Sequence, residues 1–464
     1  MAMKSFLPLV YLTTFLFLFG ESLQPAPRIE IYERVICHTF YAQPSNSTAS
    51  EHVDCKSAPV QQELAFLIGI ERLSVILPSL LAIPFGALAD RVGHNVILSV
   101  ALFGVFLEES WPFIVCWFPD IFPIRFIWLH FLFSLVGGGV TVIVTLLHVI
   151  VATIVPADER TAIFFRLRAA GVSASILGYA MAGLLMRKNA WVPWIIGNSS
   201  LLLAGIVAAL MPKTTGEEAA CADDGEDVRG ADVGWVRAAL LLMKRVYVMA
   251  VGNKRVLVLL VSCLLCQLGG DSVSLMMIIY VSKRFGWSFA DANLLNSLEM
   301  AFEFAFLVAL LPPITNVLTN RGFSSLARNK YSAQGSIVAL AVGCMCLAFA
   351  PVAGVAIIGL IVVASGAGQD SLLRSLATDM VDASEVSIVY SAITVMRNTG
   401  GSLSGPIYAE LYAAGLRAGG NWLGLPFLFA GALFVIVAGL LVVMKDTECK
   451  NVGRDGENEA LLQT

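Results

Sequence analysis

Gly86-Ala87-Leu88-Ala89-Asp90-Arg91-Val92-Gly93 is a short polar interruption between two apolar runs, Leu64 to Leu88 and Val96 to Val115. Each run can cross a bilayer as a helix, because about 20 apolar residues span the hydrocarbon core. Glycine lets the backbone turn tightly, and an adjacent acid and base can cap and pair at the membrane surface. The octet therefore reads as the turn of a hairpin of membrane helices.

The rest of the chain agrees. Of its 464 residues 57% are hydrophobic and 14% charged, with mean hydropathy +0.78; ordinary soluble domains are about 25% charged. Repeated apolar runs of this length call for an all-α integral membrane protein, in which each helix satisfies its own backbone. A net charge of −4 gives no basic excess, so nucleic acid is not an expected partner. The expected partners are the lipid bilayer, a small-molecule substrate and protons, with the protein a monomer.

Spans are expected near 6–32, 64–88, 95–116, 125–154, 161–186, 191–211, 256–281, 291–311, 332–350, 354–377, 387–412 and 422–444, twelve in all. Lys4, the apolar run after it and Gly20-Glu21-Ser22 also mimic a secretory leader, but removing it would leave an odd number of spans. Lys and Arg collect on one side, in loops with Arg91, Arg160, Arg321, Arg328 and Lys330, and in the linker and tail. The opposite loops hold fewer, among them Arg28, Arg34, Lys56, Arg187 and Lys283. Both termini are then cytoplasmic. The chain divides into a six-helix half (1–211), a linker (212–255), a second six-helix half (256–444) and a tail (445–464). Gly234 to Met249 in the linker is apolar, but Arg237, Lys244 and Arg245 would each cost about 2.5–3.5 kcal/mol at a bilayer centre, so an interfacial helix is expected.

Nine cysteines are too scattered for a disulfide framework. Cys263 and Cys266 lie inside an apolar span and read as core packing. Cys37 and Cys55 flank a polar segment that carries the sequon Asn46-Ser47-Thr48, and on an oxidising side both a disulfide and a glycan at Asn46 are expected options.

G-x-x-x-D-R-x-G in a hairpin between membrane helices, with Gly86, Asp90, Arg91 and Gly93 as its fixed points, resembles the loop between helices 2 and 3 of the major facilitator superfamily. The resemblance implies two pseudo-symmetric six-helix halves around a central cavity lined by spans 1, 4, 7 and 10. It also implies that Asp90 engages the start of helix 11 and that Arg91 joins a cytoplasmic charge network. His94 and Asn95 stand where that family usually has basic residues. A weak internal repeat fits two halves: Gly137-Gly138-Gly139 precedes Asp158-Glu159-Arg160 much as Gly366-Ala367-Gly368 precedes Asp382-Ala383-Ser384-Glu385. Phe19-Gly20-Glu21-Ser22-Leu23-Gln24, Leu81-Ala82-Ile83-Pro84-Phe85-Gly86 and Ile163-Phe164-Phe165-Arg166-Leu167-Arg168 resemble a fungal group often associated with secondary-metabolite gene clusters.

An ionisable residue far from both membrane surfaces is costly and therefore a candidate for function. Depth counting at about 1.5 Å per residue selects Glu21, Asp271, Asp370 beside Gln369, and Glu299 with Glu303, which share a helix face. Arg72 and Arg397 are the basic residues selected at similar depth. A carboxyl there can take up and release a proton as access alternates, and an arginine can pair with it or hold an anionic substrate group. The competing reading is a set of interhelical ion pairs that only position the bundle. His130 and His148 read as packing residues. The triple glycine either lets helices approach closely or makes room for a ligand.

No H-E-x-x-H, G-x-S-x-G or G-x-x-x-x-G-K-[ST] occurs, so no catalytic residue, metal or cofactor is expected. The expected function, implied by the resemblance, is proton-coupled export of a small apolar organic molecule, with the plasma membrane or an endomembrane such as the vacuole as its site. Proton-coupled import of a nutrient or organic anion and a non-transporting membrane sensor are the alternatives.

Overall fold

The computed structural model describes residues 2–42, 53–74, 82–155, 157–212, 254–310, 325–378 and 386–444, with single positions at 313, 317, 320, 321, 380 and 381. Asn46, most of the linker and the tail lie outside the described residues, as does the proposed interfacial helix. Ten helical stretches among those described are long and apolar enough to cross a membrane.

The N-terminal set comprises α1 (Ala2–Leu23), α2 (Pro25–Ala42), α3 (Ala58–Leu73), α4 (Ala82–Val92), α5 (His94–Trp117), α6 (Phe131–Ser134), α7 (Gly139–Ile154), α8 (Ala157–Met186) and α9 (Trp191–Ala209). The C-terminal set comprises α10 (Lys254–Phe285), α11 (Phe289–Ala305), α12 (Ser325–Ala348), α13 (Ala353–Ala364), α14 (Gln369–Thr378), α15 (Val386–Ala418) and α16 (Leu425–Val443). Helix α15 is long enough to span, and Arg397 and Asn398 lower its hydropathy. Between the sets α3 packs on α15 and α8 on α11.

The first span runs further than the expected end near Tyr32, continuing as α2 to Ala42. Proline is tolerated in the first turn of a helix, so Pro25 and Pro27 start α2 rather than end the span. Arg28 is consequently not a loop charge but a half-buried helical side chain.

Two spans expected to be continuous are broken. The fourth is a 3-10 turn, Ile124–His130, followed by α6, then a break before α7. Gly137, Gly138 and Gly139 occupy φ of +89°, +82° and +69°, a region that side chains strain to enter. A Cβ on Gly137 would also lie 2.3 Å from the Ala101 Cα of α5. Gly137→Ala is accordingly expected to lower stability by about 1–3 kcal/mol, read as a fall in the thermal midpoint of the purified protein. An unchanged midpoint would remove the strain argument. The tenth span is also broken, between α13 and α14, but with no glycine there at positive φ.

Candidate functional site

A cavity of about 370 Å³ lies between α1, α2, α3, α5 and the α6–α7 break, with Leu275 of α10 and Asn398 of α15 closing it from the other set. Of the residues selected by depth, it brings together Glu21 and Arg72. It adds five that depth counting missed: Arg28, Glu71, Glu108, Glu109 and His130.

The pairing within it is specific. Arg28 Nη1 lies 3.0 Å from Glu109 and 3.2 Å from Glu71, so one guanidinium ties α2 to both α5 and α3. His130 contacts Glu108 through Nδ1 at 3.2 Å and the Ser74 hydroxyl through Nε2 at 3.0 Å. It is therefore part of a polar chain between α3 and α5, and not simple packing. Glu21 differs from its neighbours, because its Oε1 is buried and has no hydrogen-bond partner among the described residues.

Asp271, 5% exposed, joins the two sets. Its carboxylate accepts from Arg72 at 3.2 Å, from Gln267 at 2.8 Å and from the Ser404 hydroxyl at 2.8 Å. Beside it α3 and α15 meet backbone to backbone, with a Cβ on Gly405 falling 2.1 Å from the Gly69 carbonyl oxygen.

The other candidates stand apart. Asp370 pairs with Arg397 and, at 3.2 Å, with Arg374. Asp370 and Arg397, with Gln369, Cys263 and Cys266, line a recess of about 10 Å³, room for about one water. Both cysteines are buried and unbonded. Glu303 is 3.9 Å from Arg168, and Glu299 lies one turn before it on α11. Asp90 contacts His94 at 3.1 Å, and Gly93 begins α5 at φ +119°. Among the described residues Asp90 is paired with His94 and not with the start of α15, the eleventh span; residues 382–385, which precede that helix, lie outside the described residues. Among the described residues no group of three His, Cys, Asp or Glu is placed to hold a metal ion.

Contacts between the sets gather at the end of the bundle where Cys37 and Cys55 are joined by a disulfide. There the Asn293 amide donates to the Tyr179 carbonyl at 2.7 Å, the Ser297 hydroxyl to Ile176 at 3.0 Å, and Arg187 to Asp291 at 2.8 Å. One apolar core runs through both sets at this end. Toward the other end, Phe6, Ala89, Ile97, Val155 and Ile163 belong to a second core built from the N-terminal set alone. The bundle is thus closed across the sets at the disulfide end.

The family model described as Major Facilitator Superfamily matches residues 61–406. Relatives include the MFS efflux pump atnC of Emericella nidulans, 28% identical over 92% of this chain and 85% of that protein, and the efflux pump ustT of Aspergillus flavus, 29% identical over 90% and 83%. Among solved structures, the nucleoside transporter NupG superposes with a TM-score of 0.66 at 14% identity, covering 96% of this chain and all of that one. A D-xylose-proton symporter gives 0.63 at 14% identity over 94% and 96%. The chain belongs to the major facilitator superfamily: it is an all-α, multi-pass integral membrane transporter.

Proposed function

We propose that the protein exports a small, largely apolar organic molecule in exchange for protons, with Glu21 as the proton-carrying carboxyl. The observation that carries this is the cavity in which Arg28 and His130 engage Glu71, Glu109 and Glu108, and in which Glu21 alone of the four glutamates has a carboxyl oxygen both buried and unpartnered. Such a group exchanges a proton with whichever side the cavity faces. Ile68, Val105, Val140 and Leu275 supply the apolar part of the lining. Export is supported by relatives named as efflux pumps. In this reading the halves 1–211 and 256–444 rock as units, joined by the 212–255 linker, and the α3–α15 crossing beside the Arg72–Asp271 contact parts as the disulfide end opens. The protein works as a monomer in the plasma membrane, its termini and Asp90 loop cytoplasmic and the disulfide end outside. The state described is then the one closed to the outside. Asp370, Arg397, Glu299 and Glu303 support the C-terminal half.

The test uses proteoliposomes with an imposed pH gradient, following proton flux as a panel of apolar metabolites is added. A compound should trigger flux that falls at least about tenfold in Glu21→Gln, the scale of a lost general acid–base group. A mutant equal to wild type would make Glu21 structural. Flux in which proton and solute travel together would replace export by import.

A further inference from the structure

The disulfide fixes one residue of the N-terminal set against the C-terminal set. Cys37, in the last turns of α2, is bonded to Cys55 with Cα atoms 5.2 Å apart, which anchors the chain immediately before Lys56. Glu33 lies one turn before Cys37 and shares its face. The Lys56 ammonium donates to Glu33 at 2.8 Å, and the Gln61 amide donates to the same carboxylate and, at 3.0 Å, to the Cys55 carbonyl.

The rest of Lys56 is engaged by the other set. Its ammonium sits 3.7 Å from the centre of the buried Phe289 ring, at the start of α11. Lys283, near the end of α10, donates to its carbonyl oxygen. Burial holds the Lys56 ammonium below the usual lysine range and the Glu33 carboxylate opposes that shift, so the charge over the ring depends on the pairing. The nearby Arg187–Asp291 pair also crosses between the sets, but both side chains are largely exposed and such pairs contribute little.

We infer that Lys56, positioned by the Cys37–Cys55 link, is the latch that holds the outer end of the bundle shut. The inference rests on the alternating-access reading above but on neither substrate nor coupling ion. A contact made in only one of two states shifts their populations by its own free energy. The Lys56 ammonium meets Phe289, and its main-chain carbonyl meets Lys283, only where the sets are closed at this end, and a change of side chain removes the first of these contacts. Its loss should therefore favour the state open to the outside, and the opposite end should close in response.

Hydrogen–deuterium exchange of the full chain in lipid nanodiscs reads both ends at once. In Lys56→Met, amides at 57–64 and 280–292 should exchange about tenfold faster, the scale of a part-desolvated cation–ring contact, while those at 86–98 and 325–334 exchange more slowly. Lys56→Arg keeps the charge and the ring contact and should restore both changes. Cys37→Ser combined with Cys55→Ser should give the same reciprocal pattern at smaller amplitude. Faster exchange at the outer end without protection at the other would mean local loosening and would overturn the latch, as would an unchanged profile. No substrate or pH gradient enters this measurement, so a failed proton-flux assay leaves it intact.

Discussion

Arg28→Met should destabilise the protein by about 3–5 kcal/mol and abolish transport, because it strands the carboxylates of Glu71 and Glu109 in the cavity without their shared cation. The charges are not replaced by water at low cost, since Glu71 is buried and Glu109 nearly so. Adding Glu109→Gln to that variant removes one of the stranded charges and should return much of the lost stability, although not the transport. Thermal midpoints of the three purified proteins decide the matter. A single variant within about 0.5 kcal/mol of wild type, the range of ordinary surface changes, would mean that the cluster is far better hydrated than its geometry implies.

Gly405→Ala should fold and insert normally and yet transport poorly. The added methyl would fall 2.1 Å from the Gly69 carbonyl oxygen, an overlap that exists only where α3 and α15 touch. Overpacking of this kind costs about 1–3 kcal/mol, enough to lower the population closed at the disulfide end by about 5–150-fold. The protein would then rest open to the outside. Flux should fall accordingly, with a thermal midpoint near that of wild type, because the open state relieves the overlap. Wild-type flux in this variant would show that the crossing can spread without leaving the closed state.

The membrane helices and the Gly86 to Gly93 turn were legible because length and hydropathy are local properties of a chain. Depth counting also found Glu21, Arg72 and Asp271, since a charge in an apolar run stands out against its neighbours. Arg28 was hidden for a physical reason: with the first span expected to end near Tyr32 it counted as a charge at the membrane surface, whereas the helix runs on to Ala42 and carries it into the bundle. Glu108 and Glu109 lie well inside the third span, and the same count applied there would have found them. Glu71, a neighbour of Arg72, went unnoticed beside it. No count could have shown that these acids share one arginine, because residue 28 and residue 109 come together only by helix packing. The broken fourth span was equally hidden. Three glycines permit positive φ without requiring it, and only the packing shows that glycine is needed there, because a Cβ on Gly137 would fall on Ala101.

That break has an electrostatic result. A helix beginning in mid-membrane exposes backbone N–H groups that no preceding turn can satisfy, equivalent to roughly half a positive charge. Helix α7 begins at Gly139, and Gly138, Gly139, Val140 and Thr141 line the same cavity as the four glutamates. Part of the counter-charge to those acids is therefore supplied by main chain, which neither titrates nor changes rotamer. The second half also begins a helix inside a span, with Asp370 in the first turn of α14, although there the Gln369 N–H donates to the Gly366 carbonyl of the turn before it. The cavity thus has a permanent positive pole in its wall, and side-chain charges can come and go around it without leaving the lining uniformly negative.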